Sequence, residues 1–223
     1  QTKKYFSKTK VVLSGNPVRD EILKIRHGER EDKKHITIFV FGGSQGARTL
    51  NKAMLQTLSF MSGVKERISI IHQTGNQDDL KLLEQAYLNA GVKAEVFTFN
   101  ENMQKFYFDA DLVIARSGAT TVAEISAIGI PSILVPYPFA ADDHQRANAK
   151  TLVDAGGAIM MDDSQCIGEN LAREIMALVE NPETLSMMRI ASLGVGRPDA
   201  AKRIVEECWK IGDVIPAKAG IQN

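Results

Sequence analysis

Short runs of Val, Ile, Leu and Phe recur along this chain, each followed by a small-residue or polar turn and then a segment of helical period. That alternation constrains the fold more than any other feature. Strands separated by about ten or more residues of helix need crossover connections, and crossovers make a parallel sheet. The runs are almost continuously apolar rather than alternating, as expected where helices cover both faces. The expected fold class is therefore α/β, a doubly wound, Rossmann-like parallel sheet.

The strand-like runs fall at residues 35–41, 68–71, 95–99, 112–115, 132–135 and 158–161. An earlier apolar run, 11–14, ends in the turn signal Gly15-Asn16-Pro17. Residues 20–34 mix both charges densely and read as a solvated helix and loop. A helix is expected over 47–61, with Leu50, Met54, Leu55 and Leu58 on one face. Another carries Leu80, Leu83, Tyr87 and Leu88 and closes at Gly91. Further helices are expected at 103–108, 121–128, 145–154, 171–179, from Pro182 onward, and at 200–211. Residues 10–212 make one domain on this reading, with 1–9 a solvated, lysine-rich linker and 213–223 a loose tail.

Composition narrows the function classes. A chain of 223 residues can bury a sizeable core without metal or disulfide. Lys plus Arg and Asp plus Glu both number 27, so no basic excess marks a general nucleic-acid binder. Cys166 and Cys208 form no C-x-x-C, so neither a zinc site nor a redox pair is indicated, and reduced cytosolic thiols are expected. No secretory leader is visible at Gln1, and the apolar stretch 128–141 is short and broken by three prolines.

Ligands of open α/β sheets bind beyond the carboxyl ends of the strands. The first such end reads Phe41-Gly-Gly-Ser44-Gln-Gly-Ala-Arg48. Its glycines permit close backbone approach and the helix start favours an anion, with Ser44 as a hydroxyl donor or simply an N-cap. It is not a Walker A loop, because Ala47-Arg48 stand where Lys-Ser/Thr would be. It is not a nicotinamide fingerprint either, because the next strand ends His72-Gln-Thr-Gly75 without an acid for a ribose. The second end reads Arg116-Ser-Gly-Ala119-Thr120-Thr121-Val122-Ala123-Glu124. Here Ser117, Thr120 and Thr121 can hold a second phosphate, and Glu124 can accept two ribose hydroxyls. Alternatively Thr121 and Glu124 form a capping box. The third end, Pro136 to Ala149, carries Gln145 and Asn148, amides three apart that suit sugar hydroxyls. His72 is better read as a packed core histidine than as a ligand. Asp109-Ala-Asp111 resembles a metal-binding D-x-D but precedes its strand, at the wrong end of the sheet. No metal or other cofactor is expected.

Taken together, these stretches resemble the MurG family, the peptidoglycan N-acetylglucosaminyltransferases that make lipid II from lipid I. The resemblance rests on Gly15-Asn-Pro-Val-Arg19, the Gly42–Arg48 loop with Asn51, His72-Gln-Thr-Gly75, Arg116 through Glu124, and Asp143-His-Gln-Arg-Ala-Asn-Ala149, in matching order and spacing over residues 10–210. It implies one half of a GT-B glycosyltransferase, the carboxyl-terminal half that binds the donor UDP-N-acetylglucosamine. By resemblance Arg19 and Ser44 contact the donor, Ser44 at the diphosphate. Ala119, Thr120, Thr121, Val122, Ala123 and Glu124 wrap diphosphate and ribose. Asn100 holds uracil through its backbone, and Gln145, with Asn148 as a weaker candidate, reads the sugar. Asn100 stands where many members have an apolar residue. His144 departs from a common Gln, so its contact is not carried over. Lipid I, the catalytic base and peripheral attachment to the cytoplasmic face of the inner membrane are implied for an amino-terminal half outside this sequence. Alternative expectations are a donor-binding subunit of a two-chain transferase and a non-enzymatic nucleotide-sugar binding protein.

Overall fold

A computed structural model describes residues 11–25, 35–43 and 47–212. The expected linker at 1–9, the tail at 213–223, part of the charged 20–34 segment and Ser44 all lie outside the described residues.

Six strands form one sheet: β1 (Ile36–Phe41), β2 (Ile68–Gln73), β3 (Lys93–Phe97), β4 (Leu112–Ala115), β5 (Ser132–Leu134) and β6 (Ala158–Met160). Their spatial order is β3-β2-β1-β4-β5-β6, and every pairing is parallel. The chain works outward from β1 in one direction, then returns to β1's other side and works outward again. Ile38 of β1 is in register with Ile70 on one flank and Leu112 on the other.

Nine α-helices connect or flank these strands among the described residues: α1 (Asp20–Leu23), α2 (Arg48–Thr57), α3 (Gln77–Ala90), α4 (Met103–Asp109), α5 (Ala119–Ile128), α6 (His144–Ala155), α7 (Gly168–Glu180), α8 (Pro182–Val195) and α9 (Ala200–Gly212). Side chains alternate across a strand, so β1 feeds two cores. Ile36, Ile38 and Val40 pack with Leu50 and Met54 of α2, Leu83 and Tyr87 of α3, and Ile175 of α7. Phe39 and Phe41 point the other way, to Ile22 of α1, Phe106 and Tyr107 of α4, Ile125 of α5 and Leu152 of α6. Both faces of β1 are therefore largely dry, which explains why Thr37 alone interrupts its apolar run.

Three expectations are corrected. Residues 20–23 are not merely a solvated helix, since Ile22 is fully buried. Leu88 does not belong to the buried face of α3; it is 73% exposed while Leu83 and Tyr87 are buried. α3 lies beside the edge strand β3, so a narrower stripe suffices to cover it. β3 itself begins and ends two residues earlier than expected.

Helix ends follow local chemistry. Asn76 caps α3 by accepting the Asp79 N–H at 2.9 Å, and Gly91 ends it in the left-handed region, at φ +69°. Asn181 caps α8, with Pro182 in the first turn. α7 lies close against α2 through Gly168, whose N–H donates to Gln56 Oε1 and whose carbonyl accepts from Thr57 Oγ1, both at 3.2 Å. A methyl group at Gly168 would meet the Gln56 carbonyl carbon at 2.6 Å and the Thr57 nitrogen at 2.8 Å. Gly168→Ala is accordingly expected to lower stability by about 1–3 kcal/mol, the usual cost of overpacking. The urea midpoint, at unchanged slope, measures it.

Candidate functional site

The strand order reverses between β1 and β4, and the loops leaving their carboxyl ends part there. Beyond that point the structure opens a cavity of about 450 Å³, walled by Arg19, Gly43, Phe99, Asn100, Tyr107, Thr120 and Glu124. A second cavity of about 420 Å³, at Thr37, Ser69, Lys93 and Asp109, lies at the opposite end of the strands. The Asp111 carboxylate at that end accepts the Thr37 N–H at 2.9 Å, so this half of the D-x-D ties β1 to β4.

α5 supplies one wall. It begins at Ala119, with Gly118 as an N-cap that offers no side chain. Val122 is the first residue whose N–H bonds back, to the Gly118 carbonyl at 2.9 Å. The N–H groups of Ala119, Thr120 and Thr121 thus lack helical partners, and Ala119 and Thr120 are exposed. Val122 and Ala123 instead pack their side chains against the second core. The capping box expected as the alternative for Thr121 and Glu124 does not form. α5 starts two residues before Thr121, which puts Glu124 in the second turn rather than the first.

The Glu124 carboxylate is buried at the floor of the cavity. Its Oε1 accepts two bonds from Arg19, from Nε at 3.2 Å and Nη2 at 3.0 Å. Its Oε2 accepts the Tyr107 hydroxyl at 3.0 Å. Tyr107 is fully buried, stacked edge-on against Phe39 and Phe41, and burial together with the adjacent carboxylate pushes its phenol pKa well up, so it remains a donor. Arg19 sits just before α1, fixed by buried Val18 and Ile22 on either side, while half of its own side chain stays exposed. A carboxylate has about four acceptor positions. Three are filled here, and the half-exposed Arg19 can release one more.

Asn100 reaches the cavity, but its Oδ1 accepts the Asn102 N–H at 2.8 Å, so its side chain is engaged locally. Next to it Phe99 presents a ring 54% exposed. Gly43, at φ +88°, opens the glycine loop, and its carbonyl accepts Gln73 Nε2 at 3.1 Å.

Gln145 lies on the adjoining rim rather than in the cavity wall. Its Oε1 accepts the Tyr137 N–H at 3.0 Å, and its carbonyl accepts Ser117 Oγ at 2.8 Å. Asn148 Nδ2 donates to the Ser117 carbonyl at 3.1 Å. The Gln145 carbonyl and the Asn148 amide therefore strap the start of α6 to Ser117 in the loop that begins α5, while the Gln145 amide holds the Tyr137 turn. Just before α6, Asp142 and Asp143 both hold left-handed backbone, at φ +50° and +51°. Two adjacent non-glycine residues there store strain of about 1–3 kcal/mol each. The structure thus brings Arg19, Asn100, Thr120 and Glu124 around one cavity and ties Gln145 to its edge.

Residues not singled out from the sequence complete the site. Tyr107 and Gln73 orient Glu124 and the glycine loop. Arg116 braces the rim: its Nη1 donates to the Val135 and Pro136 carbonyls at 3.2 Å, pairs with Asp163 at 2.6 Å, and its guanidinium lies 5.5 Å from the Tyr137 ring centre. A lone Arg directly after an apolar strand was its available signal. For Tyr107 the signal was a phenol inside the apolar face of a helix, which needs a partner when buried.

His72 is a packed core histidine, as expected, and fully buried. Burial pulls its pKa down to about 3, with nearby Asp79 opposing. Burial also works against ionised Asp79, but side-chain donation from Asn76 and Asn51 outweighs it and holds that carboxyl below its ordinary range.

Residues 37–204 match the glycosyltransferase family 28 C-terminal domain. The chain is 43% identical over 214 residues to a UDP-N-acetylglucosamine–N-acetylmuramyl-(pentapeptide) pyrophosphoryl-undecaprenol N-acetylglucosamine transferase of Thermodesulfovibrio yellowstonii, covering 92% of this chain and 57% of that protein. The identically named protein of Myxococcus xanthus is 39% identical over 93% of this chain and 54% of its own length. The crystal structure of Acinetobacter baumannii MurG superposes with a TM-score of 0.74 at 32% identity, covering 85% of this chain and 55% of that one. The chain spans a little over half the length of the curated relatives it matches.

Two outcomes follow from the buried polar groups. Tyr107→Phe leaves Glu124 Oε2 without its donor and is expected to cost about 1–3 kcal/mol in chemical denaturation. Between pH 6.5 and about 3 the unfolded chain takes up a proton at His72 that the folded chain refuses. Stability should therefore fall on acidification below pH 6.5, by up to about 1.4 kcal/mol per pH unit from this group. Asp79, depressed when folded, adds loss in the same direction at lower pH. Denaturation midpoints from pH 7 to 4 should show a shallower slope in His72→Gln.

Proposed function

Because this chain belongs to glycosyltransferase family 28, through its C-terminal domain, we propose that residues 10–212 form a domain that binds UDP-N-acetylglucosamine. In this reading the domain holds the donor for transfer of N-acetylglucosamine to lipid I, which yields lipid II. The observation that carries it is the convergence of Arg19, Asn100, Thr120 and Glu124 on one cavity at the point where the strand order reverses.

The assignments follow from chemistry. The unpartnered N–H groups of Ala119, Thr120 and Thr121 face the diphosphate, where a helix start carries partial positive charge. The start of α2 meets it from the other side, and the Ser44 hydroxyl is a further donor to the diphosphate by family resemblance. Glu124 accepts the ribose hydroxyls, using its free acceptor position and one that Arg19 releases. Arg19 then turns its freed donor to the ligand. Uracil lies along the exposed Phe99 ring and meets the main chain of Asn100. Gln145 reads the hexosamine, with Asn148 holding the adjoining loop.

The 4-hydroxyl oxygen of the muramoyl residue attacks the anomeric carbon of the donor. As that bond forms, the bond from the anomeric carbon to the diphosphate oxygen breaks, its electron pair leaves with UDP, and the configuration inverts. Helix-start N–H groups stabilise the charge growing on UDP, the task a divalent cation performs in other transferases. The acceptor's proton goes to a base outside this domain. Contact with lipid I and peripheral attachment to the cytoplasmic membrane face belong to the part of the relatives' length that this chain does not match. Among the described residues no helix is long and apolar enough to cross a membrane.

Calorimetry with UDP-N-acetylglucosamine, UDP-glucose and UDP-N-acetylgalactosamine tests the reading. Glu124→Ala should weaken UDP binding by about 1–3 kcal/mol and reduce the preference for UDP over 2′-deoxy-UDP. Ser44→Ala should cost less, because backbone donors remain. Wild-type protein that binds none of these nucleotides would overturn the proposal.

A further inference from the structure

Behind the glycine loop, on the face of the sheet away from Glu124, a hydrogen-bonded chain runs from α2 to α3. Asn51, in the first turns of α2, is buried. Its Nδ2 donates to the Thr74 carbonyl at 2.9 Å and to Asp79 Oδ2 at 2.7 Å. Both partners are acceptors, so the amide can point only one way, and Oδ1 faces His72 Nε2 at 3.1 Å. That ring nitrogen must therefore carry the hydrogen. His72 Nδ1 is then a bare acceptor, and the Tyr87 hydroxyl donates to it at 2.8 Å. Burial raises the Tyr87 pKa, which keeps the donor protonated, and burial lowers that of His72, which favours the neutral ring. Every polar atom in the relay from Tyr87 to Asn51 has one assigned role.

Such a chain is more than stability requires. Apolar residues of the same volume would fill this space without needing every donor matched. What the chain adds is direction. Asn51 lies four residues beyond Ala47, where the glycine loop enters α2, and its own N–H bonds the Ala47 carbonyl at 3.0 Å. Its side chain fixes that first turn to the end of β2, through His72 and Thr74, and to α3, through Asp79.

We infer that Asn51, His72 and Tyr87 are positioning residues for the diphosphate: they hold the start of α2 at the angle from which its N–H groups grip the phosphates. The inference rests on the donor-binding reading above. It differs from that reading in concerning residues that touch no ligand, and it separates the diphosphate from the rest of the nucleotide.

The test compares affinities for UDP and for uridine, which shares the base and ribose but lacks phosphate. Both are measured by NMR titration on the full chain, at a temperature where wild type and variants are folded. Asn51→Ala should weaken UDP about tenfold, the change one lost charged hydrogen bond produces, while uridine affinity stays within about twofold. Tyr87→Phe, which cuts the far end of the chain and removes none of the groups that bond Asn51, should weaken UDP by a smaller factor in the same selective way. It serves if Asn51→Ala does not fold. A lower melting temperature with an unchanged ratio of UDP to uridine affinity overturns the inference and leaves the network structural. Equal loss for both ligands overturns it too. Wild-type protein that binds neither ligand rejects the donor-binding reading first, and the inference with it.

Discussion

A buried carboxylate beside a parting in the sheet organises this molecule. Glu124 is held at the carboxyl end of the central strands by a guanidinium that precedes α1 and a phenol from α4, so one acceptor group on α5 joins two successive helices to a residue 105 positions earlier in the chain. Leaving any of these groups unmatched in a dry site would cost more than the bond itself returns. Phe39 and Phe41 of β1 pack against the Tyr107 ring, which fixes where its hydroxyl can sit. Core packing on one face of β1 thus sets the position of a polar atom in the crevice.

The other face of β1 serves the same crevice differently. There the side chains that matter are not in the cavity at all. Asn51, His72 and Tyr87 connect the turn after β1 to its neighbours through bonds whose donors and acceptors are fully specified. Two cores, one aromatic and one aliphatic with a polar inclusion, therefore hold the starts of α2 and α5 in relation to each other.

Much of this architecture was legible from residue patterns. The strand at 112–115 coincides with β4, because four fully buried residues between an acid and an arginine leave no room for ambiguity. β3 was displaced because Thr98 and Phe99 are strand-like in composition, while Lys93 and Ala94, which pair in the ladder, are not. Leu88 looked inward because helical period alone cannot tell a helix over the sheet centre from one at its edge. Glu124 stood between two readings, cap and ligand. The cap reading depended on where α5 begins, and Gly118 sets that start without any side-chain signature. The contacts of Glu124 with Tyr107 and Arg19 were illegible because they join separate helices across the core, and no local pattern records such a meeting.

The reversal of strand order has a kinetic side. Ile36 finds Ile68 across one crossover, whereas Ile38 must find Leu112 across more than twice that length of chain. Closing the longer loop costs more entropy, and rates fall as contacts become less local. The flank built from β1, β2 and β3 is therefore favoured to assemble ahead of its junction with β4. The crevice exists only once that junction has closed. A nucleotide seated there would act as a clasp on the last seam to form, slowing the molecule's opening far more than it hastens its folding.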